Sequence, residues 1–155
     1  MKLIKVSVYN YRSIEKVENL ELDLFNIFVG QNNHGKTNFF EAIEWFFNSK
    51  SSSDGEHFNK DPQNQISVEI FFDEVEGLDI EKLTTDANKT KIKNLLGESK
   101  SFSVKKTSSD HKRVYIINGE SRSNPQGLDT AINEFLPKLE YVNTKIRLDD
   151  VSKYK

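Results

Sequence analysis

A short polar loop with glycine at both ends lies between two apolar stretches, and it constrains the fold more than any other feature. The loop reads G-Q-N-N-H-G-K-T, from Gly30 to Thr37, and it fits the pattern G-x-x-x-x-G-K-[ST] at every fixed position. The apolar run F-N-I-F-V-G, Phe25 to Gly30, leads into it, and apolar residues recur with helical spacing from Lys36 to Phe47. The sequence therefore predicts a short strand buried on both faces, a tight loop and a helix packed on several sides.

This loop has the composition and spacing of a phosphate-binding site. Terminal glycines let successive backbone N–H groups point inward, and Gly35 with Lys36 would open a helix whose N-terminal amides and dipole favour an anion. Lys36 would bring a positive charge to the outer phosphates, and the hydroxyl of Thr37 is placed to bind Mg²⁺. A chance match in a chain of this length is on the order of 1% or less. We therefore predict a triphosphate site; the alternative is a polar strand–helix turn that binds nothing.

Composition excludes several other kinds of site. The chain has no Cys, which excludes disulfides, thiol catalysis and Cys-ligated metals, and its three His residues are far apart in the sequence. The net charge of -2 gives no bulk attraction to nucleic acid or to acidic membranes. No run approaches the roughly 20 apolar residues of a membrane span, and no signal-peptide block follows Met1. We expect a cytoplasmic protein without membrane contact.

The remaining patterns predict further strands and helices. Strands are predicted at Lys2–Tyr11, Val17–Leu24, Ile66–Phe72, Ser101–Thr107, Arg113–Gly119 and Leu139–Ile146, the fourth and fifth as a hairpin. Weak helical periodicity ends on Gly97, a plausible C-cap, and Leu128, Ile132, Phe135 and Leu136 share one face of a later helix. We divide the chain into a strand–loop–helix core at 1–50, a polar linker at 51–65, and hairpins, a helix and a returning strand at 66–155.

The residues around the polar loop resemble those of a known family. The stretch G-Q-N-N-H-G-K-T-N-F-F-E-A-I, 30–43, is similar to the pattern G-x-N-x-x-G-K-[ST]-N-x-[LF]-[ED]-A-[IL] of the ATP-binding heads of RecF, SMC and OLD (overcoming lysogenization defect) ATPases. The first strand ends in Asn10, Tyr11, Arg12 and Ser13, which resembles the N-[FY]-[RK]-[SN] of those heads. Among the branches of this group we favour an OLD-type ATPase of the bacterial defence kind.

The resemblance implies an α/β fold of the P-loop NTPase class, an ABC-type head with a mixed or parallel sheet and an antiparallel β lobe. It implies ATP and Mg²⁺ as cofactors, with Thr37 on the metal and Arg12 near the nucleotide. The implied nucleotide-binding residues of the loop are Gly30, Gln31, Asn32, Asn33, His34, Gly35, Lys36, Thr37 and Asn38. It also implies a homodimer with ATP between the heads, ATP hydrolysis coupled to work on DNA, and an associated nuclease domain outside these residues.

No catalytic residue is predicted within the chain. The family's heads need an apolar strand that ends in Asp-Glu and a Ser-Gly-Gly sequence, and the resemblance places both in a C-terminal half. No Ser-Gly-Gly occurs here, and the one match to Asp-Glu is I-F-F-D-E, Ile70 to Glu74, which the family places in the antiparallel lobe. We therefore expect the chain to be the N-terminal portion of one head and to be inactive by itself. A strand followed directly by a charged end is interpreted as a truncation point, and the alternative is a natural end with a frayed tail.

Two other functions stay open at this point. One is a self-contained small P-loop nucleotide kinase or GTPase, in which I-F-F-D-E would be catalytic. The other is a non-catalytic interaction module with a vestigial loop.

Two further groups of residues are assigned to ordinary structural roles. A basic stretch could contact DNA phosphates, but we favour a solvated hairpin face. Its members are Lys100, Lys105, Lys106, His111, Lys112, Arg113 and Arg122, interleaved with Phe102 and Tyr115. Trp45 is expected in the core rather than as a stacking platform.

Overall fold

A six-stranded sheet organises the chain. The computed structural model describes residues 1–31, 35–48, 51–110, 112–122 and 127–140. The strands are β1 (Lys2–Tyr11), β2 (Ile14–Glu21), β3 (Ser67–Asp73), β4 (Phe102–Thr107), β5 (Arg113–Ile117) and β6 (Glu120–Arg122). Their order is β2-β1-β3-β4-β5-β6, and every pairing among the described residues is antiparallel. The antiparallel pairing predicted for the lobe is confirmed for β3 to β6. The strands β1 and β2, which were assigned to a mixed or parallel core, belong to the same sheet, and no parallel pairing occurs among the described residues.

Alternation along the strands gives the sheet one buried face. In β3 the side chains of Val68, Ile70 and Phe72 are fully buried, while the residues between them are half-buried. This period of two follows from the pleat, which sends successive side chains to opposite faces. The buried faces of β1 and β4 continue the same apolar layer through residues such as Val6 and Val104.

Within the described ranges there are four α-helices: α1 (Lys36–Phe47), α2 (Gly77–Glu81), α3 (Asp86–Leu96) and α4 (Leu128–Phe135). The bounds of α1 are those predicted from its periodicity, and Trp45 lies in the core as expected. Thr85 caps α3 by accepting the N–H of Asn88, and Gly97 ends it with a φ of 58°. The buried face of α4 contains the residues that its spacing predicted, Leu128, Ile132 and Phe135.

The polar segment 51–65 has a local structure of its own. It contains two short 3-10 turns, Asp54–Glu56 and Phe58–Lys60, and a capping box in which Ser53 and Glu56 exchange hydrogen bonds. His57 is buried, and its Nδ1 donates to the carbonyl of Asn64 at 2.9 Å. The bounds assigned to the parts of the chain, 1–50, 51–65 and 66–155, remain a prediction.

The apolar run before the loop is where the strand prediction is wrong. The structure has no strand from Phe25 to Gly30, and β2 ends at Glu21 rather than at Leu24. Leu24, Phe25, Ile27 and Val29 are 84%, 79%, 72% and 86% exposed. Only a hydrogen-bonded neighbour makes a strand, and no described residue pairs with this run. The last predicted strand, Leu139–Ile146, lies outside the described residues apart from its first two positions, which form no strand.

Candidate nucleotide-binding site

The N-terminus of α1 is open to an anion. Its N-cap is Gly35, at φ 84° and ψ -2°, and no side chain among the described residues caps the first turn. That turn, which is described in full, contains no acidic residue. The first amides of a helix have no partner within the helix and carry the positive end of its dipole. Among the described residues, no side chain occupies them as a cap, so they are available to a ligand.

The turn between β1 and β2 packs against this end of α1. Asn38 donates from Nδ2 to Ser13 Oγ at 2.6 Å, and the guanidinium of Arg12 forms an ion pair with Glu41. A Cβ at Gly35 would lie only 3.4 Å from the same Ser13 oxygen. Asn38 and Glu41 are three residues apart and therefore lie on one face of the helix. The β1–β2 turn thus contacts α1 along its first two helical turns.

Lys36 lies across the start of the loop. Its Nζ donates to the carbonyls of Gly30 at 2.5 Å and Gln31 at 2.7 Å. A Cβ at Gly30 would lie 3.7 Å from that nitrogen, an ordinary contact distance, so the lysine lies directly against the start of the loop. An ammonium group has three N–H donors, and two of them are used by these carbonyls. Within the described part of the chain, the third donor meets no acceptor, so it and the positive charge can serve a ligand at the loop.

An open cavity of 690 Å³ adjoins the loop and the β1–β2 hairpin. Ile14, Val17, Leu20, Phe28 and Phe39 form its apolar part. Ser13, Glu15, Lys16, Gly35 and Lys36 form its polar part. Its volume is within the usual range of small-molecule pockets, and a mostly apolar wall with a few polar groups is their usual lining. Gly35 and Lys36 therefore lie at one edge of a space large enough for a nucleoside.

The structure brings together most of the residues predicted for this site. Gly30, Gln31, Gly35, Lys36, Thr37 and Asn38 all lie at the junction of the loop and α1, whereas Asn32, Asn33 and His34 lie outside the described residues. Thr37 is exposed in the first turn, where its hydroxyl could meet a metal ion. No group of three acidic or His residues in the described part of the chain could cage a metal. A Thr hydroxyl fits Mg²⁺, whose remaining ligands are commonly water and phosphate oxygens.

Arg12 is close to the loop but is engaged elsewhere. Its φ of 51° is unusual for a residue with a side chain. Its backbone N–H donates to the carbonyl of Glu56 at 2.7 Å, and its guanidinium contacts Glu41. A role for Arg12 at the nucleotide remains a prediction.

The Asp-Glu pair of I-F-F-D-E is far from the loop. It ends β3, which has antiparallel neighbours on both sides, so its assignment to the lobe is confirmed. Asp73 pairs with Lys2 at the start of β1, whereas the contacts with α1 come from the turn after the other end of that strand. Ten residues of strand span about 30 Å. Glu74 instead accepts a hydrogen bond from Lys2 Nζ at 2.8 Å.

The basic hairpin is only partly a solvated face. Lys106 and Arg113 are 3% and 8% exposed, and Phe102 and Tyr115 are buried in the core. The prediction is therefore wrong for these two cations, because they bind carbonyl oxygens at the C-terminus of α1. Lys100, Lys112 and Arg122 are exposed, Lys105 is half-buried, and His111 lies outside the described residues.

Comparison with known proteins agrees with this geometry. A model of the AAA ATPase domain family matches residues 1–154. The chain belongs to this family. It is 29% identical to the Old nuclease of Escherichia phage P2 over an alignment of 148 positions that covers 89% of this chain and 24% of that protein. It is 33% identical to the DNA replication and repair protein RecF of Chloroherpeton thalassium over an alignment of 93 positions that covers 50% of this chain and 25% of that protein.

A third relative and a solved structure extend the comparison. The chain is 24% identical to Endonuclease GajA of Bacillus cereus, across 96% of its length and 28% of that protein. A solved chain from a study of ATP-driven dimerisation and DNA-stimulated activation of SMC ATPases superposes with a TM-score of 0.56 and 19% identity. That match covers 99% of this chain and 90% of the other.

The resemblance to RecF, SMC and OLD-type ATPases is thereby confirmed, as is the P-loop NTPase fold of an SMC-like head. This AAA ATPase domain spans about a quarter of the length of the curated relatives it matches. Within the described ranges it has no helix long and apolar enough to cross a membrane.

Sequence reasoning missed the contacts that hold the loop helix in place. The pairs Arg12–Glu41 and Ser13–Asn38 join two adjacent turn residues to helix positions three apart. Once the helix was assigned, that spacing could have predicted that both residues lie on the same helix face. The contacts of Lys106 and Arg113 with α1 had no comparable signal, since the interacting residues are more than sixty positions apart.

Proposed function

We propose that this AAA ATPase domain binds ATP with Mg²⁺ through the loop and helix start from Gly30 to Asn38. The observation that supports the proposal is the N-terminus of α1. It has a left-handed glycine as N-cap and no side-chain cap from the described residues, and it opens beside a 690 Å³ cavity with Lys36 at its edge. An uncapped helix start with a converging cation is suited to a phosphate chain.

The roles follow from position. The first amides of α1 and the third donor of Lys36 would bind phosphate oxygens. The hydroxyl of Thr37 would hold Mg²⁺, which neutralises phosphate charge when bound. Phe28 and Phe39 offer the nucleoside an apolar wall in the adjoining cavity. Arg12 would approach the nucleotide only by leaving Glu41, as an exchange of one anionic partner for another.

We propose further that these residues are the N-terminal portion of one ATPase head. Four apolar side chains, from Leu24 to Val29, are exposed immediately before the loop. An exposed apolar run with no described strand partner is costly in water and invites pairing. The curated relatives are about four times as long as the part that this chain matches. Further chain would pair with this run and supply the groups that face the γ-phosphate from the other side.

For the whole protein we propose a cytoplasmic homodimer with ATP between two heads, acting on DNA. The names of the relatives support the DNA part: a nuclease, an endonuclease and a replication and repair protein. An associated nuclease domain and a role in defence against phage belong to the same proposal. Phosphoryl transfer depends on charges placed all around the γ-phosphate, so hydrolysis would need both heads.

Titration of ATP-Mg²⁺ into wild-type protein and the Lys36→Ala variant tests nucleotide binding. We expect the variant to lose measurable binding, because a charged hydrogen bond contributes about 1.5–3 kcal/mol and Lys36 lies where the loop meets the cavity. The fold should be retained, since the hydrogen bonds of Lys36 Nζ to described residues go to loop carbonyls and not to the core. Lys2→Ala, at the far end of β1, is the matched control. Equal affinity in wild type and Lys36→Ala would refute the proposal.

Sedimentation tests the assembly. The 155-residue chain should stay monomeric with and without a non-hydrolysable ATP analogue and should hydrolyse ATP negligibly. The full-length protein should dimerise more tightly with the analogue, because a ligand shared by two subunits stabilises the assembled state. Brisk turnover by the monomeric chain would contradict the proposal and favour a self-contained enzyme.

A further inference from the structure

Two buried cations of the β4–β5 hairpin hold the end of α1 that lies opposite the loop. Lys106 donates from Nζ to the carbonyls of Trp45 and Asn48, each at 2.6 Å. Arg113 donates from Nη2 to the carbonyl of Phe46 at 3.1 Å. These carbonyls belong to the last turn of the helix and its C-cap, where acceptors have no partner within the helix.

The burial of Lys106 is costly unless the helix end compensates it. Burial and the nearby Arg113 lower the pKa of Lys106 to about 8, and a buried ammonium without a partner costs several kcal/mol. The ammonium instead lies 4.1 Å from the centre of the Trp45 ring and at the negative end of the helix dipole. The last turn of α1, described in full, contains no basic residue of its own. The hairpin supplies the charge that the helix lacks.

The cations are themselves fixed to a second helix. Arg113 donates from Nη1 to Asn133 Oδ1 on α4. Tyr115, two residues further along β5, donates from its hydroxyl to Asp129 Oδ1 on the same helix at 2.6 Å. These hydrogen bonds therefore connect α4 through β5 to the end of α1. A connected network of this kind holds the helix end more rigidly than a single flexible side chain would.

We propose that Lys106 and Arg113 are positioning residues for phosphate binding. A helix of 12 residues is about 18 Å long, so a tilt of about 3° about its C-terminus moves the loop end by about 1 Å. Displacements of that size are enough to misplace a bound group. Holding the C-terminal carbonyls therefore holds the phosphate-binding amides. This inference rests on the proposed nucleotide binding.

The test compares Lys106→Met with Lys105→Met. Lys105 is the next residue of β4, so its side chain lies on the opposite face of the sheet and it is half-buried. ATP-Mg²⁺ affinity is measured by calorimetry well below the melting temperature, and hydrogen exchange of the α1 amides is measured without nucleotide. We expect Lys106→Met to weaken ATP binding roughly 2- to 30-fold and to speed exchange along α1. Lys105→Met should change neither.

A second pair separates charge from bulk. Arg113→Lys keeps the cation and should retain more affinity than Arg113→Met. Both variants should have a lower melting temperature than the wild type. A loss of stability alone would therefore not produce the expected difference in ATP affinity between them.

Three outcomes would overturn the inference. Equal affinity in Lys106→Met and Lys105→Met would remove the link to phosphate binding, whatever happens to the melting temperature. Unchanged exchange along α1 would show that the cations do not hold the helix. Absence of ATP binding by the wild-type protein would refute the proposed function itself, and the exchange comparison would still show whether the cations hold α1.

Discussion

Replacing Gly35 with Ala tests whether the helix start needs its left-handed backbone. Gly35 has φ 84° and ψ -2°, a conformation that costs a residue with a Cβ about 1–2 kcal/mol. The added Cβ would also lie 3.4 Å from Ser13 Oγ and 3.9 Å from Ile14 Cγ1, which is ordinary contact. The expected loss is therefore that of the backbone alone. For a domain of this size it lowers the melting temperature by about 2–8 °C.

Two other glycines serve as controls. Gly55 has no positive φ and open space around its Cα, so Gly55→Ala should be neutral or stabilising by up to about 1 kcal/mol. Gly119 has φ 79° and open space, so Gly119→Ala should show the backbone cost away from the loop. Thermal and denaturant unfolding give the stabilities, and ATP titration gives the affinities.

The three variants should differ in affinity as well as in stability. Gly35→Ala and Gly119→Ala should both be destabilised, but only Gly35→Ala should bind ATP more weakly, because it alters the N-cap beside the phosphate amides. A Gly35→Ala protein as stable as Gly55→Ala would refute the argument from backbone strain. Equal ATP affinity in Gly35→Ala and Gly119→Ala would refute a role for this conformation in the site.

Three further predictions concern carboxylates and the buried lysine. Glu74→Gln in the full-length protein should leave ATP turnover unchanged in a steady-state assay, whereas a catalytic carboxylate would cost orders of magnitude. The pKa of Lys106 is lowered to about 8, so between pH 8 and 10.5 the unfolded chain holds a proton that the folded chain has lost. The free energy of unfolding of the wild type, measured relative to that of Lys106→Met, should therefore rise with pH in that window. The pKa of Asp79 is lowered by its contact with the amino group of Met1, so the stability advantage of wild type over Asp79→Asn should vanish on acid titration as pH falls below 3.8.

Local sequence was sufficient to predict the start of α1 and the glycine and lysine at that end of the helix. The glycines, the lysine and the start of α1 are contiguous, so their geometry depends on residues a few positions apart. The helix bounds Lys36–Phe47 followed from apolar spacing in the same way. The hairpin of β4 and β5 and the C-cap at Gly97 are also set by short-range turn and cap chemistry.

The sequence could not determine where the charged residues of the hairpin face. Strand alternation places Lys106 on the same side as the buried Val104, but a lysine is stable there only if acceptors meet it. Those acceptors are carbonyls of α1, 61 residues earlier for Trp45. Nothing within β4 specifies them, so only the packing of the hairpin on α1 decides that the ammonium is buried.

The run from Phe25 to Val29 shows the same division most clearly. Its continuous apolar residues favour a strand buried on both faces, yet the structure leaves most of them exposed and unpaired. Apolar composition shows that a segment is suited to burial. A strand forms only when another strand supplies hydrogen bonds and a covering surface. The pairing of β1 with β3, more than fifty residues away, was likewise decided by tertiary structure, because sheet order depends on partners that no local pattern names.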